Sequence, residues 1–475
     1  MSTGEITVPG FHHDLMSTNP ILFVTSPAYK LLEEDLRRHG LEFCHSNRPT
    51  SVSRLDGRSL VLTTDRNQNA AAFNALSEGD GDQHIQDMQS IESHAAFISV
   101  LLSSQLRSMP FLQTVLREIR QRGLHGFLTW VGSGLGTSRG WLEQNYGSDI
   151  IQSLWAPWIL HTGQTPESAY SELMNKLLAF TMEQSGAYMV KGGIYNLAIA
   201  LQSLFLERGG TIRTSVEVDR IILKNNCARG AITSDGQQFD ANKSVICSVT
   251  PTQLYARLLR DNRTNKTTKL VQEFRYGRGS FQLHYALDAP PDWIAPGLEQ
   301  AAVVSLSEGI DAVSKSCNEG IRGMLPQTPT ISVIQPHLLD PSRCPEGKAI
   351  LWLQVQDAPT LIKGDAAGEI QTPPHWTDEL REEFADRLES ILALHIRDFR
   401  SLILGRTAYS PADLEAININ LVGGDPYAGD CAIDQFFVWR PTAAWSIGKT
   451  AFSKLYHIGA STHPGQDYQE PPDIF

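Results

Sequence analysis

Four stretches of the chain carry residue types whose spacing could do chemistry. Gly448-Lys449-Thr450 has the closing residues of a phosphate-binding loop, in which backbone N–H groups curl around phosphate. That curl needs a glycine five residues before Gly448, and Ala443 stands there, so a nucleotide triphosphatase is not indicated. Gly136-Thr137-Ser138-Arg139-Gly140 matches Gly-x-Ser-x-Gly, where a sharp strand-to-helix turn exposes a nucleophilic serine. Several residues, glycines among them, separate it from the apolar run Phe127–Val131, so the sharp turn is not specified and the stretch reads as a loop. His12-His13-Asp14 and the pair His457 and His463 lack the i, i+4 spacing of a helical metal site. Gly132-x-Gly134-x-Gly136 approaches a dinucleotide fingerprint, whose third glycine opens a pyrophosphate-binding helix. Thr137 and Arg139 occupy the positions that need that glycine, and no complete Gly-x-Gly-x-x-Gly occurs in these residues.

The elements that must position such residues come from an ordinary globular composition. The 475 residues are 41% hydrophobic and 19% charged, enough apolar material for a sizeable core. Lys+Arg 40 against Asp+Glu 52 gives a net charge of −12 without a basic cluster, which argues against a nucleic-acid partner. Six scattered cysteines form neither a disulfide framework nor a zinc motif, and free thiols in a reducing compartment are expected. Residues 1–14 do not read as a signal peptide, and no apolar run is long enough to span a membrane. A cytoplasmic protein is the default expectation.

Spacing predicts a helix from Pro27 with Leu31, Leu32 and Leu36 on one face, stopped by Gly40. A hairpin over Asp56-Gly57 follows, with a strand from Ser59 to Thr63. Residues 80–185 read as helices. Gly192-Gly193 opens a helix with Leu197, Leu201, Leu204 and Phe205 on one face. Strands are expected over Thr211–Thr214 and from Val216 onward, then a meander, then a buried strand Val245–Val249 stopped by Thr250-Pro251. Further strands are expected at Phe281–Leu287, Ile331–Ile334, Ala349–Val355 and Leu455–Gly459. Asp378–Phe399 is the strongest amphipathic helix, capped by Thr377.

The order Lys191-Gly192-Gly193, helix, Gly209-Gly210, strand, Asp235-Gly236 hairpin and Cys247-Ser248-Val249-Thr250-Pro251 resembles the phytoene desaturase-like flavin-dependent oxidoreductases. These are the carotenoid and retinoid oxidoreductase group, here closer to its pyridine nucleotide-disulfide oxidoreductase domain-containing subgroup. Val8-Pro9-Gly10-Phe11-His12-His13-Asp14, Gly423-Gly424-Asp425-Pro426-Tyr427, Trp439-Arg440-Pro441 and Leu455 through Gly465 agree with it. The resemblance implies an α/β fold: a Rossmann-like FAD/NAD(P)-binding domain, incomplete here, interleaved with a mixed-sheet and helical substrate domain. Residues 1–75, 186–272 and 441–475 would form the flavin-domain remnant, and 76–185 with 273–440 the substrate domain.

The resemblance also implies an FAD-dependent dehydrogenase or desaturase that moves a hydride from a small apolar substrate to flavin, with no catalytic acid or base required. Val218 would lie by the adenine through its backbone. Gly459, Ala460 and Ser461 would line the pyrophosphate and ribityl chain, and His463, Pro464 and Gly465 would approach the isoalloxazine. Trp155, Trp158, Tyr285, Trp352 and Trp439 are candidates for an apolar substrate tunnel, with core packing as the alternative. An apolar substrate is compatible with peripheral membrane contact, and nothing indicates an oligomeric state. The family's first βαβ unit, with its glycine fingerprint, has no counterpart in these residues, and the stretch after Gly465 departs from the family's Gly-rich turn. FAD is therefore expected to bind weakly or not at all. A flavin-free binding or isomerising protein, or an inactive truncated product, is the competing expectation.

Overall fold

The computed structural model describes residues 1–104, 106, 108–442 and 448–463. Helix α1 (Pro27–Arg38) starts on Ser26, whose hydroxyl accepts from the Tyr29 N–H. Strands β1 (Ser51–Ser53) and β2 (Ser59–Val61) form the hairpin over Asp56-Gly57. A helical layer follows: α2 (Asp80–Ser103), α3 (Met109–Gly134, with non-helical backbone at Gly123) and α4 (Ser171–Ser185). Helix α5 (Tyr195–Glu207) leads to the meander β3 (Val218–Lys224), β4 (Cys227–Thr233) and β5 (Gln238–Asp240), then β6 (Val245–Cys247). Strands β7 (Gly279–Leu287), β8 (Val303–Leu306), β9 (Ile331–Ile334) and β10 (Ala349–Ala358) precede helix α6 (Asp378–Leu392). Strands β11 (Ile403–Tyr409) and β12 (Leu455–His457) follow.

Seven strands form one mixed sheet in the order β11-β7-β10-β9-β8-β1-β2, with only β8 and β1 running parallel. One face is apolar because side chains alternate along each strand. Phe281, Leu283 and Tyr285 of β7 and Leu351, Leu353 and Val355 of β10 pack with Phe384, Leu388 and Leu392 of α6. Burying each such side chain is worth roughly 1.5–3 kcal/mol. Thr377 caps α6 as expected, accepting from the Leu380 N–H.

The N-terminal segment is tied to α5 by a buried ionic knot. Arg343, fully buried, reaches Asp14 at 3.0 Å and Asp340 at 2.9 Å. Asp14 also accepts from the Ile194 N–H at 2.9 Å, and Thr3 Oγ1 from the Tyr195 N–H at 3.1 Å. These bonds satisfy N–H groups that the start of α5 would otherwise leave open. Gly193 has φ +129°, and a Cβ there would sit 2.4 Å from Thr3 Oγ1 and Cγ2, so this position requires glycine.

Several expectations are corrected. Leu31 and Phe205 are exposed, at 76% and 51%, rather than on the buried faces of their helices. Thr211–Thr214 is not a strand; no neighbouring strand pairs with it among the described residues, and strand propensity without a partner does not make a ladder. The strand at Val245 stops at Cys247, pairs with β12 alone among the described residues, and leaves Ile246 51% exposed. Helix α6 ends at Leu392, not Phe399. The chain turns there so that Ile396 bridges to Trp293 and His395 Nδ1 meets Ser53 Oγ at 2.8 Å.

Candidate active site

The two parallel strands β6 and β12 run in register, Val245 opposite Leu455 and Cys247 opposite His457. Their carboxyl ends emerge side by side, the position where parallel α/β sheets receive cofactors. His457 Nε2 lies 2.6 Å from the Val249 carbonyl, and Ile458 N–H donates to the Cys247 carbonyl at 2.9 Å. Burial holds the His457 pKa down at about 4, so its ring is neutral and donates to Val249. The loop after Cys247 is thereby pinned to the loop after His457.

At the next residue but one, Gly459 takes φ +100°. A Cβ there would lie in ordinary van der Waals contact with Ser248, at 3.8 Å, so the positive φ rather than a clash is what favours glycine. The loop that follows is fixed from behind. Thr462 N–H and Oγ1 both donate to the Gly459 carbonyl, and Ser461 Oγ donates to the Ala428 carbonyl at 2.8 Å. Arg440, only 4% exposed, gives Nε to the Ala460 carbonyl at 2.9 Å. Its other nitrogens reach the Tyr427 and Asp430 carbonyls, and its guanidinium lies 5.5 Å above the Phe436 ring. A fixed planar fork that engages several carbonyls suits arginine and not lysine. Asp425 anchors the facing loop: its carboxylate accepts from the Gly277, Tyr427 and Gly429 N–H groups, and burial pushes its pKa up.

His463 Nε2 approaches the Ser104 carbonyl at 3.2 Å, and its ring lies 5.9 Å from that of Phe437. Burial holds the His463 pKa down at about 4. Phe437 continues into an aromatic cluster with Tyr170 and Phe436. Gly459, Ala460, Ser461 and His463 thus form one continuous loop at the end of β12. Val218 opens β3 and packs on the core cluster that also holds Cys247 and Leu455. Pro464 and Gly465 lie outside the described residues.

The five aromatic tunnel candidates separate. Trp155 is fully buried among helices, stacked on His84, and Tyr285 faces α6. Trp439 is 45% exposed. Trp158 and Trp352 remain, packed with the helical core on the side of the sheet away from α6. Of the sequence motifs, Ser138 is buried: it opens a helix capped by Thr137, and its hydroxyl accepts from Asn175 Nδ2 at 2.7 Å. It has the surroundings of a packing residue. Thr450 donates to nearby backbone carbonyls, as a loop residue does. Sequence reading assigned no role to Arg440, although it stands in the Trp439-Arg440-Pro441 motif; an arginine between apolar and aromatic residues was the available signal.

A mixed sheet backed by one long helix, a helical layer, and a glycine turn at the carboxyl ends of two parallel strands make a mixed α/β fold. The chain belongs to the flavin-containing amine oxidoreductase family, whose model matches residues 26–410. It is 22% identical to pyridine nucleotide-disulfide oxidoreductase domain-containing protein 2 of Mus musculus, covering 97% of this chain and 83% of that one. It is 24% identical to 4,4'-diapophytoene desaturase of Staphylococcus aureus (strain Newman), over 68% of this chain and 61% of that one. Among solved structures, an oxidoreductase from Methanosarcina mazei shares the fold with a TM-score of 0.55 at 14% identity, over 96% of this chain and 85% of that one. Cyclohexylamine oxidase from Brevibacterium oxydans does so with 0.51 at 12%, over 98% and 86%. Among the described residues, no helix is long and apolar enough to cross a membrane.

Proposed function

We propose that this chain is an FAD-dependent dehydrogenase of a largely apolar small molecule, and that the loop from Gly459 to Gly465 faces the cofactor. The observation that carries the reading is the positive-φ glycine turn at Gly459, whose loop Arg440 anchors at the carboxyl ends of β6 and β12. In this reading a long side chain at Gly459 would occupy cofactor space. FAD, when bound, would accept a hydride from a substrate C–H bond. The chain's own residues do the placing. Arg440 fixes the backbone of Ala460, the Ala428 carbonyl holds the Ser461 hydroxyl, the neutral His463 fills the end of the loop, and Trp158 and Trp352 provide apolar wall. Val218 would serve the adenine end. In this reading residues 1–75, 186–272 and 441–475 act as the flavin part, and 76–185 with 273–440 as the substrate part.

These residues fit the ring and ribityl end of the cofactor better than its pyrophosphate. That group is best gripped by a glycine turn at a helix N-terminus, and the complete glycine fingerprint is missing from these residues. Weak retention of FAD follows. The test is the visible absorbance of the chain purified without added flavin, then with it. The expected result is no stoichiometric flavin band as purified and a saturable one on titration. A stoichiometric band as purified would overturn weak retention, and no band at any FAD concentration would overturn the site.

A further inference from the structure

Both faces of the seven-stranded sheet are covered, but by opposite chemistry. Residues alternating with the apolar ones turn away from α6, and the register sets them in rows. Tyr409, Gln282, Gln354, Ser332 and Ser305 lie side by side across five strands. Gln356 is next on the same face of β10, and His284 on the same face of β7. His161, from the turn Ala156–Thr162, closes over them. Its Nδ1 accepts from Gln356 Nε2 at 3.0 Å and its Nε2 lies 3.3 Å from Ser332 Oγ.

These polar groups are underused. Gln356 Oε1, Ser305 Oγ and both ring nitrogens of His284 are buried without a well-formed hydrogen bond; the Leu15 backbone makes only a marginal contact with the His284 ring. Leaving a buried polar atom unpaired is costly, so several on one sheet face mark a place where something else supplies partners. His161 and Gln354 keep some accessible surface although the residues around them in their elements are largely buried. Trp158 and Trp352 flank them, with their indole N–H groups already given to Thr50 Oγ1 and Gln282 Oε1. The rows contain no charged side chain, and Arg278 beside them is engaged by the Gln164 and Gln356 carbonyls. The face is tied to the Gly459 loop through Tyr427, which donates to the Leu160 carbonyl at 2.8 Å, and through Ser461 on Ala428.

We infer that this buried polar face binds a neutral oxygen-bearing group of the substrate, a carbonyl or hydroxyl carried on a flat apolar frame. This rests on the oxidoreductase reading above and narrows its substrate class. A hydrocarbon would leave the amides and imidazole unpaired. An ammonium would lose its water without meeting a carboxylate.

Three probes of one frame separate these classes: tetralone, tetralin and aminotetralin, titrated calorimetrically into the full chain near neutral pH. Tetralone is expected to bind at least 10-fold more tightly than either of the others. In Gln354→Leu and, separately, Gln356→Leu that preference is expected to fall at least 3-fold while tetralin binding holds or improves. Tetralin or aminotetralin binding as tightly as tetralone, no binding by any of the three, or a preference unchanged in both variants would overturn the inference. The assay contains no FAD and reads no turnover, so its failure is distinct from failure of the flavin site.

Discussion

The seven-stranded sheet and the parallel pair β6–β12 differ in how much chain surrounds them. Strands β7 and β10 run nine and ten residues and are buried along nearly their whole length, because α6 covers one face and helices with the N-terminal segment cover the other. Strands β6 and β12 run three residues each, and Ile246 stands half exposed between them and solvent. Apolar residues of similar type therefore carry different energies in the two places. The large sheet supplies stability, and the parallel pair supplies a place where two backbone ends are held side by side.

That contrast can be broken by two truncations. Leu353→Ala, in the fully buried face of β10, is expected to lower unfolding free energy by about 2–5 kcal/mol. Ile246→Ala should cost about 0.5 kcal/mol, as a partly exposed site does. Chemical denaturation measures both, and equal losses would show that the two regions are packed alike.

A third variant probes the joint between the N-terminal segment and α5. Gly193→Val combines a positive φ with a Cβ driven into Thr3, and should lose about 2 kcal/mol. A melting curve like the parent's would mean that the N-terminal segment does not pack at the start of α5.

A further effect is one of pH, and it separates the pair from the sheet. His457 is held near 4 in the folded chain and titrates near 6.5 when unfolded. Between those values the unfolded chain binds more protons, so stability falls as pH drops from about 6.5 to about 4, by at most about 1.4 kcal/mol per pH unit for this group. His457→Gln keeps an N–H for the Val249 carbonyl and removes the proton site. Its stability-versus-pH slope should be shallower than the parent's over that window; an identical slope would place His457 outside the buried pair.

In the large sheet the hairpin strand from Ser59 and the strands at Phe281, Ile331 and Ala349 were legible because alternation and β-branched content are local, whereas Val303–Leu306 and Ile403–Tyr409 were not read as strands. What alternation hides is whether the polar side faces water. Gln282 and His284 stand at the polar positions of such an alternation, and both are fully buried under chain distant in sequence. The strand expected at Thr211 fails for the converse reason: its propensity is local, but its ladder needs a neighbour. The glycine turn at Gly459 was readable from its motif. Its anchoring by Arg440 was not, because that contact joins two loops whose meeting depends on the whole fold.

The most direct measurement is an FAD titration of the parent, Gly459→Ala and Gly459→Leu, followed by quenching of flavin fluorescence with circular dichroism alongside. Alanine shares the backbone strain at φ +100° with leucine but not its bulk. Saturable binding by the parent, with affinity at least 10-fold lower in Gly459→Leu than in Gly459→Ala (about 1.4 kcal/mol) at unchanged secondary structure, is the expected result. No saturable binding by the parent, or equal affinity in the two variants, would contradict a cofactor-facing role for this loop.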